Sequence, residues 1–198
     1  MALSKIQSES INLADTFEFT GTVSGAGSNI KERISILADG GTYTFSGTTY
    51  TAANVTAAQA LTVTHATANG SEISYVPPTG TVAVDYTYMF FYNYVSPTPY
   101  SHFRLMIDSD VVTDSRTTIA VQSYKQDLIC FNWLIPIGGS ADTDTGRQAT
   151  WTSVKTLKVT GRDYGDTHHN AELHQTTHMD GVTTAVIRKP TLIVTALG

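Results

Sequence analysis

The stretch TVAVDYTYMFFYNYV, residues 81–95, decides the fold. Val82, Val84, Tyr86 and Tyr88 fall on one side of a period-two alternation, and Ala83, Asp85, Thr87 and Met89 fall on the other. That is the pattern of a strand with one face in a core; a helix would repeat its apolar positions every three to four residues. The composition agrees. The chain has 32 threonines among 198 residues, and with its Val, Ile, Tyr and Phe these favour strands over helices. Apolar residues make up 41%, enough for one good core or a main domain with a smaller one.

Downstream of this stretch, strand follows strand. HFRLMID (102–108) alternates Phe103, Leu105 and Ile107 with His102, Arg104 and Met106. DSDVVTDSR reads as a hairpin-like turn, followed by TTIAVQSY (117–124). DLICFNWLIPI (127–137) is almost continuously apolar, which predicts a strand buried on both faces and makes Cys130 a core thiol. As the sole cysteine, Cys130 also excludes an intramolecular disulfide framework. GGSADTDTGRQ (138–148) reads as a flexible polar loop, and 149–161, 170–179 and 183–197 complete the set, with Pro190 marking a sheet edge or bend. About eight short strands at regular spacing predict an antiparallel β-sandwich of jelly-roll type over 81–198.

Upstream, Pro77, Pro78 and Gly80 mark a boundary. Residues 39–80 read as a small β-rich unit. It has a hairpin of Thr42–Ser46 and Thr48–Ala52 around Gly47, and one helix near Val55–Ala60 capped by Asn54. Ile34 and Ile36 alternate across Ser35 as a short half-buried strand. Residues 1–38 as a whole read as an extended arm. Within it, SESINLADTFEFTGTVSGAG (8–27) is interrupted by Glu9, Asp15 and Glu18, so it is not a signal peptide. No run of about 18 apolar residues offers a transmembrane helix. Synthesis and folding in a cytosol are therefore expected. Ile11, Leu13, Phe17 and Phe19 lie on one side of a period-two alternation, Val23 adds a further apolar side chain, and Gly21, Gly25 and Gly27 let the segment bend. These are the residues of an attachment arm that buries on a partner by strand addition.

The chain's chemistry-bearing residues point away from catalysis. There is no G-x-S-x-G nucleophile turn and no phosphate-cradling glycine loop, and the acidic turns at Asp108, Asp110 and Asp114 and at 142–146 lack the EF-hand order. Asx-bonded solvated turns account for them better. His168, His169, His174 and His178 are four of the six histidines. On a strand, however, His174 and His178 would stand about 13–14 Å apart on one face with Glu172 and Thr176, too far to share an ion. No metal and no cofactor is expected. A net charge of −5 argues against a nucleic-acid footprint. Tyr86, Tyr88, Tyr92 and Tyr94 read mainly as packing or subunit contacts, with sugar recognition as the second use.

Residues Ser4–Gly27, SKIQSESINLADTFEFTGTVSGAG, resemble a segment that recurs in structural proteins of tailed bacteriophages, where it precedes a β-rich, often trimeric domain. The likeness is specific over that segment and one of style beyond it. It implies a non-enzymatic virion component, assembled in the host cytoplasm, whose partners are copies of itself and the major capsid protein or tail components. Two roles follow from it. A homotrimeric capsid cement or decoration protein suits a chain that begins with an arm and carries no repeat shaft. A short tail fibre or receptor-binding knob contacting host glycans is the alternative.

Overall fold

A strand with one polar and one apolar face needs a second layer to cover the apolar one. In the computed structural model, residues 29–95, 98–120, 126–165, 169–177 and 185–198 are described, and they supply that layer almost wholly with strands. The strands are β1 (Ile30–Leu37), β2 (Thr42–Phe45), β3 (Thr48–Thr51), β4 (Gln59–Ala60), β5 (Ala66–Thr67), β6 (Ile73–Tyr75), β7 (Ala83–Tyr94) and β8 (Tyr100–Ile107). They continue with β9 (Asp110–Val111), β10 (Thr117–Ala120), β11 (Gln126–Pro136) and β12 (Lys155–Asp163). Last come β13 (Ala171–Leu173), β14 (Gln175–Thr177), β15 (Ala185–Ile187) and β16 (Thr191–Leu197). No helix among the described residues is long and apolar enough to cross a membrane.

Two six-stranded sheets form the sandwich. The first runs β1-β16-β7-β13-β4, with β11 on the other side of β7. The second runs β10-β8-β12-β5, with β6 also on β12 and β9 on β8. Every ladder of these sheets is antiparallel. The 12-residue β7 is the trunk of the first sheet. β11 pairs with it from Gln126↔Asn93 to Pro136↔Ala83, while β16 and then β13 pair along its opposite edge. The alternation read at 81–95 holds from Val84 on, where Val84, Tyr86, Tyr88, Phe90 and Tyr92 are all buried; Val82, expected inward, lies ahead of β7 and is 57% exposed. They meet Phe103, Leu105 and Ile107 of β8 and Leu157 and Val159 of β12 in one core. The Phe90 and Phe103 rings lie 5.2 Å apart across it. Burying side chains of this size contributes about 1.5–3 kcal/mol each.

The expected boundaries at 38 and 80 are not breaks in the sheets. β1 pairs with β16 from Ile30↔Leu197 to Leu37↔Thr191, so residues 30–37 are sheet and not arm. β4 pairs with β13, and β5 and β6 pair with β12. Strands of two or three residues cannot sustain a unit alone, so they complete their longer neighbours. The β2–β3 hairpin around Gly47 forms as expected, as a separate two-stranded sheet.

The helix expected near Val55–Ala60 is absent. Val55 N–H donates to Ala38 C=O, and the Gln59 side chain donates to Thr67 C=O and accepts from Asn69 N–H. These tertiary bonds draw the segment out of its weak helical preference. Pro190 is buried at the break before β16, where its missing N–H costs no ladder bond.

Gly161 of β12 sits directly opposite Phe103. A Cβ there would stand 2.6 Å from the Phe103 ring, which is itself buried. Gly161→Ala is expected to destabilise the fold by about 1–3 kcal/mol, measured by urea unfolding. A neutral or stabilising result would show that the ring has room to move.

Candidate functional site

The tyrosines marked by the sequence divide into core and rim. Tyr86, Tyr88 and Tyr92 have no exposed surface. The Tyr86 hydroxyl donates to Ser71 C=O, and that of Tyr88 donates to Asn69 C=O at 2.7 Å. Tyr92 shares a 2.8 Å bond with the Ser101 hydroxyl, which donates in turn to Asp163 Oδ1 at 2.8 Å. Burial pushes the Tyr92 phenol up to about 12 and raises those of Tyr86 and Tyr88 well above the ordinary phenol value. These three side chains join the two layers, the packing use that was one of those expected of them. Tyr94, half-buried at the end of β7, stays at the rim. The arm residues Ile11, Leu13, Phe17, Phe19 and Val23 lie outside the described residues, as do His168 and His178.

His174 does not follow strand alternation. It adopts φ 70° between β13 and β14, so Leu173 and His174 are both buried. Neither ring nitrogen has a hydrogen-bond partner among the described residues, and burial pushes the imidazole down to about 4. No group of three or more His, Cys, Asp or Glu among the described residues could hold a metal ion. The acidic turns are internally bonded. Asp108 accepts Thr156 N–H at 2.8 Å and pairs with Lys155 at 3.2 Å, while Asp142 accepts Asp144 N–H at 2.9 Å and the Thr145 hydroxyl at 3.0 Å.

The site that stands out is β11. The sequence predicted burial on both faces, but only one is covered by the described residues. Phe131 and Ile135 enter the core, with Ile129 and Trp133 packed against it and the Trp133 indole N–H donating to Thr145 C=O at 3.0 Å. On the other face Leu128 is 59% and Leu134 49% exposed, and Cys130 is exposed too, not a core thiol. Register places Leu128 opposite Phe91 and Cys130 opposite Met89, extending the outward apolar strip across β7. Beyond it, Asn132 anchors the two strands by donating to Asp85 Oδ1 at 2.6 Å and Thr87 Oγ1 at 2.8 Å.

β11 is also an edge: among the described strands only β7 pairs with it, and Gln148 bonds the backbone only at the Pro136 end. Soluble proteins blunt such edges with charge. Lys31, Glu32 and Arg33 do this on β1 at the opposite edge, whereas β11 carries a single charge, Asp127. The arrangement offers backbone donors and acceptors beside an apolar strip, which is what an added strand requires.

No protein-family model matches the chain, and no curated protein matches its sequence. Among solved structures, the infectious bursal disease virus VP2 subviral particle aligns at a TM-score of 0.41 and 14% identity, over 95% of this chain and 39% of that one. The structure of the Gt strain of the same virus aligns at 0.26 and 11% identity, over 77% and 40%. The chain thus spans about two fifths of the length of either. Likeness of this degree carries no argument about function.

Two outcomes follow. Cys130 is expected to react with a maleimide in the folded isolated chain as fast as in urea; protection without denaturant would mean that the β11 face is covered. His174 sets a pH dependence. Above its unfolded value of 6.5 neither state is protonated; as pH falls from 6.5 towards about 4, the unfolded chain binds a proton that the buried ring refuses. Stability is then lost by on the order of 2–3 kcal/mol across that window. His174→Asn, which tolerates the positive φ, is expected to remove this part of the slope in urea titrations; an unchanged slope would assign it elsewhere.

Proposed function

We propose that this chain is a non-enzymatic bacteriophage virion structural protein: a homotrimeric capsid cement or decoration protein with a jelly-roll-type sandwich, attached through its N-terminal arm. The observation that carries the reading is β11, apolar on both faces and, among the described residues, with one face and one edge uncovered. A strand of that composition fits a surface covered on assembly better than one meant to stay in water. The arm supplies the complementary feature, a segment whose apolar side chains repeat at strand spacing. On this reading the protein functions in the virion after assembly in the host cytoplasm, with the major capsid protein as its principal partner.

The second reading is a short tail fibre or receptor-binding knob contacting host glycans. It is favoured by the outer face of the second sheet, where Tyr100 and Tyr164 are 42% and 55% exposed beside His102 and Arg162.

The deciding experiment is binding to purified empty heads. High-copy binding is expected from the full chain and loss of binding from a chain lacking residues 2–27, with Cys130 becoming protected from maleimide on the head. Phe17→Ser with Phe19→Ser is expected to weaken that binding while leaving the thermal unfolding of the sandwich unchanged. Attachment to host cells that survives the arm deletion, with no head binding, would establish the second reading instead.

A further inference from the structure

The outer face of the second sheet gathers positive charge on a chain whose net charge is −5. Three of its six arginines, Arg104, Arg116 and Arg162, line one open cavity of about 330 Å³ with His65 and His102. The topology makes this cluster. Arg104 and His102 alternate outward on β8 while Phe103 and Leu105 turn inward, and register sets Arg162 of β12 directly opposite His102. Arg116 leads into β10, whose Thr118 bonds His102 Nδ1 at 3.0 Å. Arg104 Nε donates to Thr160 Oγ1 at 3.3 Å.

Among the described residues no carboxylate lies within ion-pair distance of the three arginines. Asp163 points into the core, and Glu72 pairs with Lys158 at 3.7 Å. Arg162 Nε is buried with no hydrogen-bond partner among the described residues. The groups feel one another: burial comes first, then Arg104, Arg162, His102 and Arg116, in holding the His65 imidazole down at about 4. Crowded cations beside an orphaned buried donor are the features an anion-binding site offers.

The same face continues into aromatics. Tyr100 precedes His102 by two residues on β8, Tyr164 follows Arg162 by two, and the Tyr164 ring lies 6.2 Å from that of His102. From Tyr100 to Arg104 the row runs about 13–14 Å along the strand. Exposed rings pack on pyranose faces, and the arginine fork takes a carboxylate or sulfate in two parallel bonds.

We propose that this row is a binding site for an acidic saccharide, its oxyanion held by Arg104 and Arg162 with Arg116 beside them, and its ring laid against Tyr164 and Tyr100. The site deepens the receptor-binding reading but does not depend on where in a virion the chain sits, since head binding and saccharide binding are separate measurements. A nucleic acid is disfavoured as the ligand, because the negative charge of the rest of the chain repels a long polyanion.

The test titrates the full chain with a heparin-derived tetrasaccharide, an oligouronate of equal length, neutral maltotetraose and a single-stranded oligonucleotide. Binding is expected from the sulfated sugar, the uronate or both, which separates the two oxyanion sources, and not from maltotetraose. Arg104→Gln and Arg162→Gln are each expected to weaken it about tenfold or more. Arg116→Gln, at an exposed side chain, gives the same direction without risk to the fold. Tyr164→Ala is expected to weaken saccharide binding while leaving competition by inorganic sulfate intact. Absence of binding by both acidic sugars, unchanged binding in the Arg116→Gln and Arg162→Gln variants, or tighter binding of the oligonucleotide would each overturn the proposal.

Discussion

Each phenol buried along β7 must find an acceptor in the opposite layer, and that requirement governs the rest of the sandwich. A hydroxyl removed from water without a partner costs several times what its hydrogen bond returns. Tyr86 and Tyr88 meet it on backbone carbonyls of the turn at Asn69–Ser71, and Tyr92 on Ser101. The turn is pinned from its other side, where the Ser71 hydroxyl donates to Val159 C=O and accepts from Val159 N–H. The short strands on either side of that turn are thus tied to both sheets by polar bonds as well as by burial. This is why residues before the expected boundary at 80 cannot be lifted away from those after it.

A polar relay closes one end of the core. Tyr92 reaches Ser101, Ser101 reaches Asp163, and Asp163 accepts Ala171 N–H at 3.2 Å. Burial pushes the Asp163 carboxyl up, while the Ser101 and Ala171 donors pull it back. The relay joins β7, β8, β12 and β13 at the level where the aromatic–arginine row emerges on the outer surface. Core and surface share a strand: Asp163 faces inward one residue after Arg162 and one before Tyr164 faces water.

Much of the fold was legible from local pattern. The period-two runs from Val84 along β7 and at 102–108 place the correct faces inward because alternation is a local property. The β2–β3 hairpin follows from Gly47 in the same way. What could not be read was set by distant neighbours. The apolar composition of β11 is the same whether it lies in the middle of a sheet or at its edge, so the exposure of Cys130, Leu128 and Leu134 had no local signature. His174 leaves strand alternation because its backbone turns through a positive φ, which nearby residues do not announce. The arginine row joins positions 104, 116 and 162, brought together only by register between β8, β10 and β12. Its one visible hint was the polar half of HFRLMID.

The two unlike edges of the first sheet limit how the protein can aggregate. With Lys31, Glu32 and Arg33 on β1, a neighbouring sheet cannot stack end to end against β11 without facing those charges. Head-to-tail pairing of copies through β1 and β11 is therefore disfavoured by the charge on one of the two strands. Charge on β1 thus limits edge-to-edge pairing between copies while, among the described strands, the outer edge of β11 stays open.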